Sequence, residues 1–220
     1  MPGEAAVAEP DRDCPFCPRL VAFREEWRAK EPSWHNAPVP VFLPPSGTET
    51  VRLLVVGLAP GLRGANRTGR PFTGDYAGDL LYATLNKYGF ANDRFAARVD
   101  DGLELDGAAI VNGVRCVPPE NKPTPAEINT CRQFLTPVID GLPKLRAIVT
   151  LGRIAHDTTL RALGTKLKDA PFRHAGRYEI GGLSLFSSYH CSRYNTNTGV
   201  LTTEMFEAVF AAVAERLKTA

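Results

Sequence analysis

Several common signals are missing from this 220-residue sequence. No apolar run approaches the roughly 20 residues that a membrane-spanning helix requires. The acidic N-terminal stretch MPGEAAVAEPDRD lacks the apolar segment of a secretory signal. An excess of one charge is also missing, since 26 Lys and Arg residues stand against 24 Asp and Glu residues. We therefore expect a soluble cytoplasmic protein with no membrane partner. The charge balance excludes a histone-like polycation, so any binding of nucleic acid must depend on a local basic surface.

Cysteine is scarce, with five residues, and disulfides are not expected in a reducing compartment. Cys14 and Cys17 form a C-x2-C pair, and Cys116 and Cys131 follow with 14 residues between them. Four thiolates suit either structural zinc or an iron–sulfur cluster, and their spacing does not choose between the two. The alternative is that Cys116 and Cys131 are ordinary buried side chains. Cys191 lies apart from these four and is interpreted as a free thiol.

Short apolar runs alternate with helical patterns along the chain. Strands are predicted at 51–57, 108–111, 145–151 and 183–189, and helices at 76–88, 124–140, 153–163 and 202–218. Thr124 and Glu127 form a capping box at the start of the second of these helices. The alternation predicts an α/β fold with a mainly parallel four-stranded sheet covered on both faces. Residues 1–13 are predicted to be a flexible tail, followed by a single domain over 14–220.

Polar clusters follow three of the predicted strands, at 58–75, 112–123 and 190–199. Because ligands bind at the carboxyl ends of parallel strands, we expect the three clusters to form one site.

The glycine-rich loop at 57–70 resembles a phosphate-binding loop only superficially. No Gly-Lys-Ser/Thr follows, Pro60 removes one backbone N–H, and the spacing is not G-x-G-x-x-G. What remains is a loop with three arginines suited to a phosphate backbone, Arg63, Arg67 and Arg70. A solvated basic loop is the alternative.

Four segments together resemble the family 5 (type B) uracil-DNA glycosylases. They are CPFCPRLVAFRE (14–25), GLAPGLRGANRTGRPFTGD (57–75), VNGVRCVPPENKPTP (111–125) and HCSRYNTNTG (190–199). The resemblance implies a three-layer α/β/α fold and a monofunctional enzyme that flips uracil, and other deaminated bases such as hypoxanthine and xanthine, out of double-stranded DNA. It also implies a structural [4Fe-4S] cluster held by Cys14, Cys17, Cys116 and Cys131. A bacterial or archaeal, nucleoid-associated monomer is expected.

Hydrolysis of an N-glycosidic bond leaves a base anion and a cationic sugar, and the motif residues can stabilise both charges. His190 is predicted to donate a hydrogen bond to the base oxygen on which negative charge grows. Asn112 carries the donor and the acceptor that the edge of uracil requires, and Phe72 is predicted to stack on the base. The alternatives are that His190 is a structural histidine, that Asn112 caps the end of a strand, and that Phe72 packs in the core. Gly57 and Ala59 are predicted to line the same site.

The water-activating group is less clear from the sequence. Asp75 is the nearest candidate, although it is also placed to be the N-cap of a helix. Asn195 is a second candidate for positioning water. Related families carry a stronger water-activating residue where this chain has Ala59-Pro60-Gly61, a departure that fits family 5.

The remaining motif residues suggest a wedge that fills the gap left by the base. Arg193 and Tyr194 are predicted to contact DNA in this way, with an exposed polar loop as the alternative. No lysine is placed to form a Schiff base. Four rival interpretations remain: a uracil-specific family 4 enzyme, a relative that links covalently to its product, a non-catalytic iron–sulfur DNA-binding module, and a zinc-stabilised nucleotide-binding domain.

Overall fold

The framework of the protein is one five-stranded sheet, as seen in a computed structural model that describes residues 9–219. The strands are β1 (Leu53–Gly57), β2 (Ala108–Asn112), β3 (Ala147–Leu151), β4 (Gly176–Ile180) and β5 (Leu183–Ser188). Their order across the sheet is β2-β1-β3-β5-β4, and only the pairing of β4 with β5 is antiparallel. The predicted mainly parallel α/β sheet is confirmed, and the predicted count of four strands is one too low.

The missed strand, β4, lies at the edge of the sheet. Its residues alternate between covered and exposed positions, so it lacks the continuous burial of the other four strands. Gly181 and Gly182 join it to β5, and both have positive φ values, 56° and 87°. A two-glycine turn with this backbone is a strong hairpin signal, and it was the clue in the sequence.

Seven α-helices within the described residues accompany the sheet. They are α1 (Pro18–Lys30), α2 (Ala65–Thr68), α3 (Tyr76–Lys87), α4 (Pro125–Asp140), α5 (Arg153–Ala162), α6 (Arg193–Asn197) and α7 (Thr203–Lys218). The capping box of α4 is present, with Thr124 accepting from the amide of Glu127 and the Glu127 carboxylate accepting from the amide of Thr124. α1 is not apparent from the sequence because it has no apolar stripe. Only Leu20 and Arg24 are buried on it.

The helices cover both faces of the sheet. Leu53 and Val55 of β1 pack in one apolar cluster with residues of α3 and α7, whereas Leu54 and Val56 pack in a second cluster with residues of α4 and α5. Alternate residues of a strand point to opposite faces, so this division confirms the three-layer α/β/α arrangement. No helix within residues 9–219 is both long enough and apolar enough to cross a membrane.

The predicted N-terminal tail is only partly within the described residues, since 1–8 lie outside them. Glu9 contacts the domain. Its carboxylate accepts a hydrogen bond from the amide of Val41 and forms an ion pair with Arg115. The segment just before Cys14 is therefore held against the body of the protein.

Candidate active site

The three polar clusters that follow β1, β2 and β5 meet around one cavity of about 620 Å³ at the carboxyl edge of the sheet. We call it the edge pocket. Five of the predicted catalytic and base-binding residues line it, namely Ala59, Phe72, Asp75, Asn112 and His190. The sequence-based expectation that these clusters share one site agrees with this geometry.

The floor of the edge pocket is formed by Asn112 at the end of β2 and by Phe72. Asn112 is 4% exposed and Phe72 is 7% exposed. Phe72 has a φ of 52°, a left-handed backbone conformation that is rare for an aromatic residue. Gly57 leaves the space for both side chains, since a Cβ there would lie 2.4 Å from Asn112 Oδ1 and 2.7 Å from the Phe72 ring. Gly57 thus shapes the pocket through its missing side chain.

His190 forms the wall next to Phe72. The two ring centroids are 6.1 Å apart, and the planes are inclined by only 28°. Within residues 9–219 neither ring nitrogen of His190 makes a hydrogen bond, so a donor is free for a ligand. Burial lowers the pKa of His190 to about 4. The imidazole is therefore neutral at pH 7.

Asn195 is not brought to the edge pocket, and its predicted contact with water is not what the geometry favours. Its side-chain amide donates to the backbone carbonyl of His190 at 2.8 Å. Ser192 caps the short helix α6, accepting from the amide of Asn195. Asn195 is thus a positioning residue for the segment that carries His190.

Asp75 also lines the pocket, immediately before α3. It occupies the N-cap position, but its side chain makes no capping hydrogen bond. The loop glycines make room for it, because a Cβ on Gly64 would lie 2.4 Å from Asp75 Oδ2 and one on Gly61 3.0 Å. Asp75 Oδ1 is buried and has no hydrogen-bond partner within residues 9–219. Burial raises the pKa of Asp75, and the nearby amides of Gly78 and Ala77 partly offset that rise.

The predicted DNA-binding arginines separate into different environments. Arg63 and Arg193 line the edge pocket, and the Arg193 guanidinium lies 5.2 Å from the centroid of the Tyr76 ring. Tyr194 is 75% exposed, as a contact residue of a wedge would be. Arg67 is exposed but faces away from the edge pocket.

Arg70 was wrongly predicted to contact DNA. It is 7% exposed, and its guanidinium donates to both carboxylate oxygens of Asp101 at 2.8 and 2.9 Å, and to the Thr73 hydroxyl and the Arg98 carbonyl. Four of its five N–H donors are engaged inside the protein, and the guanidinium is buried, so Arg70 is not presented to a phosphate. Its role is to hold the loop of 96–103 against the segment that carries Phe72.

Three further residues with polar side chains line the edge pocket, and the sequence did not single them out individually. They are Tyr76, Asn121 and Ser192. Asn121 belongs to the polar cluster at 112–123, and its φ of 57° follows one of 54° at Glu120. Two consecutive left-handed residues turn this loop back toward the pocket, which spacing alone does not reveal.

The four cysteines of the predicted metal site converge although they come from distant parts of the chain. Cys14, Cys17, Cys116 and Cys131 line one small cavity together with apolar side chains such as Leu20 and Phe134. Burial raises the pKa of Cys116 to about 11 and that of Cys131 to about 12. A bound metal would therefore have to displace protons from these thiols.

Two buried arginines border the same cavity. Arg24 Nη1 lies 4.0 Å from Cys116 Sγ, and the backbone amide of Arg115 donates to Cys131 Sγ at 3.3 Å. Arg24 Nε and Arg115 Nη1 are buried, and neither has a hydrogen-bond partner in the part of the chain that the structure describes. The donors and positive charge match an anionic group bound by thiolates, such as an iron–sulfur cluster. No group of three His, Cys, Asp or Glu residues among 9–219 is close enough to hold one metal ion.

Comparison with known proteins agrees with this geometry. The profile of the uracil DNA glycosylase superfamily matches residues 44–214. The sequence is 46% identical over 200 residues to the type-5 uracil-DNA glycosylase of Thermus thermophilus, covering 88% of this chain and 89% of that protein. It is 42% identical over 210 residues to the type-5 enzyme of Mycobacterium tuberculosis, covering 90% and 75%. The fold resembles the crystal structure of Pedobacter heparinus SMUG2, with a TM-score of 0.50 at 12% identity over 77% of each chain.

The fold and the profile define a member of the uracil-DNA glycosylase superfamily. Within it, the chain belongs to the type-5 uracil-DNA glycosylases. The predicted family is thereby confirmed over the uracil-specific type-4 alternative.

Proposed function

We propose that this protein hydrolyses the N-glycosidic bond of uracil and of other deaminated bases, hypoxanthine and xanthine among them, in double-stranded DNA. The observation that carries the proposal is the edge pocket, in which an aromatic ring, an amide, a neutral imidazole and a buried carboxylate converge. The damaged nucleotide enters this pocket after flipping out of the helix. Flipping costs a few kcal/mol, roughly, and least at mismatched pairs, which favours uracil opposite guanine.

The flipped base stacks on Phe72 and is read by Asn112. The amide presents a donor and an acceptor, and no other described side chain competes for them. A carboxamide that rotates to exchange its two ends accepts bases with different edge patterns. This flexibility supports a range of substrates wider than uracil.

Departure of the base places negative charge on its oxygen, and His190 is positioned to stabilise it. A neutral imidazole carries one N–H group that can donate this hydrogen bond, and the pocket wall shields that bond from water. Asp75 lines the same pocket, and its ionised carboxylate stabilises the cationic sugar and orients the attacking water. No step requires a lysine, so we propose hydrolysis without strand cleavage.

Gly57→Ala tests the floor of the pocket. The added Cβ would approach Asn112 Oδ1 and the Phe72 ring to well below contact distance, so both must shift. We expect kcat/KM for uracil excision to fall by about 10- to 100-fold, because a displacement on the order of 1 Å costs that much at a reaction centre. Gly181→Ala is the control for an added Cβ without a new contact: the φ of 56° at Gly181 disfavours alanine, but a Cβ there meets nothing within 4 Å, so this variant should lose stability and keep its kcat/KM. Equal losses in the two variants would contradict the assigned role of Gly57.

We also propose that Cys14, Cys17, Cys116 and Cys131 hold a [4Fe-4S] cluster rather than zinc. Four thiols around one cavity, bordered by the positively charged Arg24 and Arg115, support a group that is larger and more anionic than a single ion. When bound, the cluster would join the segment before α1 to the β2–α4 loop, and it would take no part in hydrolysis.

Excision from labelled duplexes that each carry one uracil, hypoxanthine or xanthine tests the function. We expect release of uracil and of at least one deaminated purine, with strand breaks only after alkaline treatment. Uracil release alone would contradict the broad range, and strand breaks without alkali would contradict the monofunctional reaction. No release from any duplex, by protein that still binds DNA, would leave a non-catalytic binding module.

A further inference from the structure

A second cavity adjoins the edge pocket on the other side of the short helix α2. We call it the arginine groove, and its volume is about 690 Å³. Its walls include Arg12, Trp34, His35, Arg67 and Arg98. The Arg67 guanidinium lies beside Gly74, where a Cβ would be 2.7 Å from Nη2. The groove therefore begins one residue away from Asp75 of the edge pocket.

The groove is built on a fixed scaffold. Asn66 Nδ2 of α2 donates to Asn36 Oδ1 at 2.8 Å, and both residues are buried. Asn36 Nδ2 in turn donates to the carbonyl of Glu31 at 2.7 Å, at the end of α1. The amide of His35 donates to the carbonyl of Arg67 at 3.0 Å. The segment that carries Trp34 and His35 is thus tied to both α1 and α2.

The charge in the groove is not balanced by the protein. Arg98 is paired with Asp100 at 3.0 Å. The guanidinium groups of Arg12 and Arg67, in contrast, make no hydrogen bond or ion pair within the described part of the chain, and both residues are exposed. Two such cations beside one groove complement phosphates spaced along a strand.

We propose that the arginine groove binds the backbone of the DNA strand that carries the damaged base, with Arg12 and Arg67 each contacting one phosphate on one side of the lesion. This inference rests on the proposed function, since the nucleotide in the edge pocket defines the strand. A strand whose nucleotide occupies that pocket must leave it across the rim. α2 is the part of the rim that separates the two cavities, and its Arg67 faces the groove.

Salt-dependent binding tests the proposal. Dissociation constants are measured by fluorescence anisotropy for an undamaged duplex and for one with a hydrolysis-resistant 2′-fluoro-deoxyuridine. The proteins are the wild type, Arg12→Ala, Arg67→Ala and the double variant. Each single substitution is expected to weaken binding about three- to tenfold and to reduce the salt slope by about 0.9. Arg177→Ala is the control, because its guanidinium bonds to Glu179 on the far edge strand β4.

Truncated duplexes locate the contact. When the DNA is shortened on one side of the lesion and then on the other, one truncation must remove the effect of both arginines. Unchanged salt slopes, or an effect that survives both truncations, would overturn the proposal. The undamaged duplex keeps the result separate from catalysis. A wild-type protein that binds with the expected slope but excises nothing refutes the proposed function and leaves the groove supported.

Discussion

Replacement of His190 by alanine is expected to lower the single-turnover rate of uracil excision by roughly 10²- to 10³-fold, the usual effect of removing one donor to a developing oxyanion. The ring is held against Phe72, its segment is fixed by Asn195, and neither ring nitrogen is engaged elsewhere in the described structure. The substitution should lower the excision rate and leave DNA affinity unchanged, because the hydrogen bond from His190 forms only with the flipped base. Quenched-flow excision with saturating enzyme, beside anisotropy binding, measures the two separately.

The His190→Gln variant distinguishes a donor from a structural histidine. A glutamine amide retains one donor at similar reach, so the rate should recover partly relative to His190→Ala. If glutamine and alanine were equally slow while both variants kept the thermal stability of the wild type, the donor role would be wrong. A rate within a fewfold of the wild type in His190→Ala would also exclude it.

The pH profile carries a second signature of the site. Burial lowers the pKa of His190 to about 4, so the imidazole remains neutral from pH 8 down to about pH 5. The rate should therefore show no titration near pH 6.5, where an ordinary histidine changes charge. The Asp75 carboxylate is active when ionised, and burial raises its pKa. Its protonation should produce the acid limb above the usual carboxyl range, and Asp75→Asn should remove that limb.

The fold was largely predictable because most of its strands are buried on both faces. β1, β2 and β3 are largely apolar runs in which every residue is buried, and β5 is buried from Ser184 to Ser188 although three of its six residues are serines. β4 and α1 were missed because each lies where packing imposes no simple apolar period. The convergence of Phe72, Asn112 and His190 was also predictable, since parallel strands bring their carboxyl ends to one edge.

The arginines show where sequence reasoning stops. Arg63, Arg67 and Arg70 occur in one loop with the same side chain, yet one lines the edge pocket, one faces the arginine groove and one is buried against Asp101. The different environments of the three arginines arise from the left-handed turn at Phe72 and from Asp101, the partner of Arg70, which is 31 residues away. Neither leaves a local signal. The same holds for Asn195, whose amide fixes His190 through a loop bond.

Loss of one cluster ligand should have the largest effect on stability. In Cys131→Ser the proposed anionic cluster that faces Arg24 and Arg115 would be released, leaving Arg24 Nε and Arg115 Nη1 buried without a hydrogen-bond partner among the described residues. Removing one partner of a buried charged set costs about 3–5 kcal/mol. We expect the variant to lose its iron and visible absorption, and to unfold at clearly lower temperature. Iron content per chain and thermal unfolding measure both.

Cys191→Ser is the matched control, because Cys191 is equally buried but lies in the core beside Ala77, away from the four-cysteine cavity. It should keep its full iron content. Cys131→Ser that retained iron and colour would refute the cluster assignment, whereas colourless wild-type protein with one zinc per chain would establish the zinc alternative.

The structural effect of Cys131→Ser should also extend to the edge pocket. Cys116 follows Asn112 by four residues, and the intervening segment bonds to the loop after β1 through the amides of Gly113 and Val114. Val114 packs with Leu20 and Cys131 in a small apolar cluster beside the cysteines. Without the cluster this packing loosens, and Asn112 loses one of the contacts that fix its position. Even at temperatures below its unfolding temperature, Cys131→Ser should therefore excise uracil more slowly than the wild type. Its KM for the uracil duplex should rise, because the Asn112 amide that is proposed to read the base becomes mobile.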